Sequence, residues 1–88
     1  MRRELSVKPS CLSDIHGVPG AKSGQLWEKI DHLVDDPLPD GKLKKKIKAK
    51  KDLYRLRVGD YRVFYTFGEG WVRLLGVRKR DERTFDDR

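Results

Sequence analysis

Three arginines, Arg55, Arg57 and Arg62, have the spacing to act together on an anion. They lie in the run Leu53-Tyr54-Arg55-Leu56-Arg57-Val58-Gly59-Asp60-Tyr61-Arg62-Val63-Phe64-Tyr65. Strand side chains alternate between faces, so Tyr54, Leu56 and Val58 share one face of a first strand while Arg55 and Arg57 share the other. Gly59-Asp60 supplies a tight turn, since Gly tolerates positive φ and Asp bonds its own backbone. The second strand places Tyr61, Val63, Tyr65 and Phe67 on one face, and Arg62, Phe64 and Thr66 on the other. A hairpin closed at Gly59-Asp60 would let the three arginines converge. Each guanidinium carries a permanent charge and a planar fork of donors, so the trio would form a preorganised anion site.

Such a site binds a phosphodiester, and on RNA it can also promote cleavage. The 2′-hydroxyl is a built-in nucleophile, so the protein need only hold the backbone in line and stabilise charge on the phosphorane-like transition state. Arginine is too weak a base to move the protons, which leaves Lys, Tyr, a carboxylate or water for that task. Other chemistries find little support. Cys11 and His16 are the only neighbouring Cys/His pair, short of the cluster a metal site needs. His16 and His32 belong to no nucleophile–base motif, and no glycine-rich phosphate loop of the usual spacing occurs.

The elements that position the arginines can be read in order. Arg3 to Lys8 alternates polar and apolar residues and stops at Pro9, which predicts a short first strand. Ser10 to Ile15 suits one or two helical turns, broken by His16-Gly17-Val18-Pro19-Gly20. The spacing of Leu26, Trp27, Ile30, Leu33 and Val34 predicts a helix over 23–35 with Ser23 as N-cap and Trp27 as a core anchor. Residues 36–52 read as a polar loop with a basic end. A short helix over Lys42–Lys51 is opposed by like charges at i, i+4. The hairpin follows, then a turn at Gly68-Glu69-Gly70. A last strand over 71–78 is apolar on both parities, as in a strand covered on both faces. Tyr54, Tyr61 and Tyr65 read as core or strand-pairing residues, and Arg73 as a surface residue. The sum is an α+β fold: strand, helical segment, helix, then a three-stranded antiparallel meander, with the helices on one face and the arginines on the other.

With 88 residues the chain is read as a single domain over 1–88. No apolar run approaches the length of a membrane helix, and no apolar segment follows the first charges, so neither a membrane nor a leader peptide is expected. A single cysteine excludes an internal disulfide and suits a reducing, cytoplasmic setting. The net charge is +7, but Lys42 to Arg57 alone carries +8, with nine basic residues against Asp52. A near-neutral body therefore bears a basic band, suited to nucleic acid, an anionic surface or an acidic partner. Because the band runs straight into the arginine strands, nucleic acid is the expected ligand.

These residues resemble the RelE/ParE toxin superfamily, the small toxins of type II toxin–antitoxin systems. The resemblance rests on LYRLRVGDYRVFY, on Lys46-Ile47 before it, and on the last strand ending in Gly76-Val77-Arg78-Lys79-Arg80. It covers about residues 43–83, and the N-terminal half fits in layout alone. It implies a sheet with helices on one face and a basic cleft on the other. For RelE-like members it also implies metal-independent, cofactor-free cleavage of mRNA on the ribosome, leaving a 2′,3′-cyclic phosphate. Carried over one at a time, Arg55 and Arg57 match the first basic pair, Arg62 the arginine after the strand-opening tyrosine, and Arg80 the basic residue after the last strand. Arg78 or Arg83 would serve if the register slips. Lys46 lies near a basic loop position, and Lys44, Lys45, Lys48, Lys50 and Lys51 enlarge that RNA-binding side. One departure stands out: Phe85 occupies the place of the family's proton-exchanging tyrosine or histidine. A phenyl ring stacks on a base but moves no proton, so Asp81, Glu82 or a lysine would have to substitute.

The resemblance further implies a cognate antitoxin partner, whose acidic segment would complement the basic band. The leading expectation is a ribosome-dependent mRNA endonuclease. A ParE-like inhibitor of DNA gyrase and a non-catalytic RNA-binding domain of the same fold are the alternatives.

Overall fold

The computed structural model describes residues 3–48 and 50–79. In chain order the elements are β1 (Glu4–Val7), α1 (Pro9–His16), α2 (Gly20–Asp35), β2 (Lys44–Lys46), β3 (Tyr54–Val58), β4 (Tyr61–Gly68) and β5 (Trp71–Lys79). The strands form one sheet in the order β1-β5-β4-β3-β2, with β1 parallel to β5 and every other pair antiparallel. The expected meander is therefore present, lengthened by one strand at its start. No helix among the described residues is long and apolar enough to cross a membrane.

Both helices pack on one face of the sheet. Cys11 and Ile15 from α1, with Leu26, Ile30 and Leu33 from α2, meet Leu56, Val58, Val63, Tyr65, Val72, Leu74 and Val77 in one core. Pro9 opens α1 at a position where its missing N–H costs no hydrogen bond. The other helix begins earlier than its sequence suggested. Ser23 lies inside the first turns of α2, where its hydroxyl donates to the Gly20 carbonyl oxygen at 2.9 Å, and Pro19 takes the cap position. Trp27 is not a core anchor: it is 39% exposed. The stripe that meets the sheet runs through Leu26, Ile30, Leu33 and Val34, and Trp27 lies on its solvent margin.

Lys44-Lys45-Lys46, expected in a loop or short helix, forms edge strand β2 against β3. A helix would bring like charges together at i, i+4, whereas a strand sends alternate lysines to opposite faces, and lysine suits an exposed edge. Asp40 prepares the strand. Its carboxylate accepts from the backbone N–H groups of Lys42, Leu43 and Lys44 at 2.8, 3.0 and 3.0 Å. Those bonds hold its carboxyl below the usual carboxylate range, the Lys42 N–H contributing most.

The face away from the helices is partly covered. Ile47, Leu53 and Phe64 are buried there as a second small cluster, with Leu75 packed against them. Leu75 reaches it through a bulge. Phe64 pairs with Gly76 and Tyr65 with Leu74, which leaves Leu75 as the extra residue of β5. This is the physical reason for the apolar residues on both parities of that strand.

Candidate functional site: a cationic groove on the open sheet face

The hairpin closes as its sequence requires. Val58 pairs with Tyr61, and Gly59, the first central residue of the turn, takes a φ of 57°. A side chain would be strained there, and this is the position that tight hairpins reserve for Gly. The register then places Arg57 directly opposite Arg62, and Arg55 opposite Phe64 on β4 and Lys45 on β2. Cross-strand partners point to one side, so Arg55, Arg57, Arg62 and Lys45 share the open face with the small apolar cluster.

These side chains line a groove of roughly 230 Å³, together with Lys42 and Leu43. Among the described residues the lining holds five cationic groups and no carboxylate. Its base is rigid because the arginines stand on paired strands. The Arg62 guanidinium is further tied to the turn, donating to the Tyr61 carbonyl oxygen at 3.2 Å. The wall is rigid because the Arg57 N–H donates to the Leu43 carbonyl oxygen at 2.8 Å, which fastens the Asp40–Lys44 turn to β3. Lys42 was not singled out as a site residue from sequence. Its place in the groove depends on the Asp40 turn, which the Asp-Gly pair at 40–41 signals.

The remaining lysines separate by position. Lys44 lies on the helix side of β2, opposite Leu56, and its ammonium donates to the Asp36 carbonyl oxygen at 2.7 Å. Lys46 stands opposite Tyr54 and shares that side by register. Lys48, Lys50 and Lys51 are exposed on the loop between β2 and β3. The loop is closed by the Ile47 N–H donating to the Leu53 carbonyl oxygen at 2.8 Å, and it is anchored by the burial of those two side chains. Arg78 is ladder partner to Arg62, yet its guanidinium bonds the Asp14 carboxylate of α1 at 2.6 Å. Arg80, Arg83 and Phe85, with Asp81 and Glu82, lie outside the described residues.

No tyrosine of the hairpin reaches the groove lining. Tyr65 is buried on the helix side, Tyr54 stacks on it with ring centroids 5.6 Å apart, and Tyr61 is 8% exposed. Burial and nearby negative charge push the Tyr65 phenol far above its ordinary range. Among the described lining residues, Lys42 and Lys45 are the groups able to exchange a proton. The groove can grip a phosphodiester with several charge-assisted hydrogen bonds and stabilise added charge on phosphorus.

Residues 18–84 match a family model described as the ParE toxin of the type II toxin–antitoxin system, parDE. A relative from Methanocaldococcus jannaschii, named "Putative toxin RelE1", is 29% identical over 85 residues, spanning 94% of this chain and 92% of its own length. Among solved structures, an archaeal RelE–RelB complex from Pyrococcus horikoshii aligns with a TM-score of 0.78 at 26% identity, over 93% of this chain and 99% of that one. The isolated RelE toxin of E. coli aligns with a TM-score of 0.78 at 18% identity, over 91% of this chain and 86% of that one, a likeness of fold.

Proposed function

We propose a reaction from one premise: the chain belongs to the ParE toxin family of type II toxin–antitoxin systems, within the RelE/ParE superfamily. Within that superfamily it acts as a RelE-like endonuclease that cuts mRNA on the ribosome. The observation that carries this reading is the groove in which Arg55, Arg57, Arg62, Lys42 and Lys45 meet. A surface built to poison a protein enzyme has no need of so many converging phosphate ligands.

Arg57 and Arg62, facing each other across the hairpin, hold the scissile phosphate. Arg55 and Lys45 form the next cross-strand pair and receive the adjoining phosphate. The RNA 2′-oxygen attacks phosphorus as its proton passes to water. The arginines stabilise the charge of the five-coordinate state. The bond to the 5′-oxygen then breaks, and Lys45 donates the proton that the leaving oxygen takes up. The products are a 2′,3′-cyclic phosphate and a 5′-hydroxyl. No metal or cofactor enters the scheme. Lys48, Lys50 and Lys51 extend the contact along the RNA, and Arg80 adds to the charge of the site. The protein works in the cytoplasm and is held inactive by an antitoxin, as the RelE chain of the Pyrococcus horikoshii complex is joined to RelB.

The family-model match supports a second reading, inhibition of DNA gyrase. Primer extension on mRNA soon after induction separates the two. New cleavage sites that vanish in Arg62→Ala are the expected result. Growth arrest with intact mRNA and accumulated gyrase–DNA cleavage complexes would replace the endonuclease with the gyrase inhibitor.

A further inference from the structure

We propose that Asp14 is a positioning residue that holds Arg78 out of the cationic groove and so sets how many cations the groove presents. This inference rests on the reading of the groove as an RNA-binding surface. By strand register Arg78 belongs to the groove's row: Arg57 pairs with Arg62, and Arg62 pairs with Arg78. Directly opposed partners of like charge repel, and a third arginine would compound the repulsion. Instead the Arg78 guanidinium reaches over the outer edge of β5 to the Asp14 Oδ2 at 2.6 Å, and also donates to the Val77 carbonyl oxygen at 2.8 Å. There it lines a separate cavity of roughly 430 Å³ with Ser13, Gly17, Tyr61 and Lys79. That cavity shares no lining residue with the groove.

Asp14 can do this because of where β1 stops. The last backbone bond from that strand's end runs from the Lys8 N–H to the Leu74 carbonyl oxygen, and beyond it β5 has no strand on its outer side among the described residues. Helix α1 takes the vacated place, and the Asp14 Oδ2 accepts the Val77 N–H at 3.2 Å. One carboxylate oxygen thus finishes the sheet edge and captures the arginine beside it. Both side chains are about three-quarters covered, at 28% and 26% exposure, so the pair is poorly screened by solvent. Released from Asp14, Arg78 would sit one strand from Arg62 on the same face, within reach of a phosphate bound there.

The test is the salt dependence of binding to a short unstructured single-stranded RNA, with inorganic polyphosphate in parallel. For single-stranded RNA each added phosphate contact steepens the slope of log K against log salt by about 0.7. Asp14→Asn keeps an acceptor for the Val77 N–H but loses the charge that holds Arg78. It is expected to steepen the slope by about that amount, and Asp14→Asn with Arg78→Gln is expected to restore the wild-type slope. Arg78→Gln alone is expected to leave the slope unchanged. An unchanged slope in Asp14→Asn, or a shallower one in Arg78→Gln, overturns the proposal. The Arg78→Gln arm decides by itself if Asp14→Asn does not fold. Wild-type protein that binds polyphosphate but not RNA overturns the RNA reading, and the same variants on polyphosphate still decide the role of Asp14.

Discussion

The Tyr65 hydroxyl donates a 2.7 Å hydrogen bond to the carbonyl oxygen of Pro37, joining the middle of β4 to the loop that leads into β2. Through this bond the core fixes the stem of the Asp40 turn, and through the turn it fixes Lys42 and Leu43 in the groove wall. Tyr65→Phe leaves a buried carbonyl oxygen unpaired and should cost about 1–3 kcal/mol in urea denaturation. The alkaline limb should change too. The folded state raises the Tyr65 pKa, so its contribution is complete below the ordinary tyrosine value of about 10 and declines as pH rises above it. Stability of the wild type should fall more steeply than that of Tyr65→Phe in that range.

Asp40 gives the opposite dependence. Its carboxyl is held low by backbone N–H groups, so the stability it contributes is present above the ordinary Asp value of about 4 and is lost as pH falls through the folded value. Asp40→Asn should be less stable than wild type at neutral pH. The two should converge on acidification, as followed by thermal melts across pH.

The small cluster on the open face should be severable from the main core. Ile47→Ala removes a side chain that is 3% exposed and should cost about 2–5 kcal/mol. Because Ile47 anchors the loop carrying Lys48, Lys50 and Lys51, RNA affinity should fall although no charge is lost. Equal affinity in the folded variant would show that those lysines need no anchoring.

Charge removal should act by position and not by number. Arg57→Gln takes a cation from the groove and should make the salt slope of RNA binding shallower by about 0.7. Lys44→Gln takes an equal charge from the helix side, where the ammonium is bonded to Asp36, and should leave the slope as it was. Equal effects from both would mean that the basic band binds as a diffuse field, without a defined groove.

Much of this architecture was legible because the decisive signals are local. Gly59-Asp60 sets the hairpin register, and the register alone puts Arg55, Arg57 and Arg62 on one face. The main helix was equally plain from its apolar stripe. Edge strand β2 was not legible, since three consecutive lysines carry no strand periodicity and their pairing follows from the turn that the Asp40 carboxylate closes just before them. Trp27 borders the apolar stripe, and spacing alone does not say which margin of the stripe is covered. The sorting of the lysines and the capture of Arg78 by Asp14 follow from contacts between segments far apart in sequence, which no spacing rule reveals.

The parallel pairing of β1 with β5 has a consequence for the order in which the molecule is made. Ser6 and Arg73 face each other in that pair, 67 residues apart. During synthesis β1 emerges first and must wait for its partner, while β3 and β4 close over a two-residue turn as soon as both have left the ribosome. The arginine-bearing hairpin is thus an early, local product, and the sheet becomes complete when its first and last strands meet. Until then β5 is the edge of the sheet, and β1 is the strand that covers it.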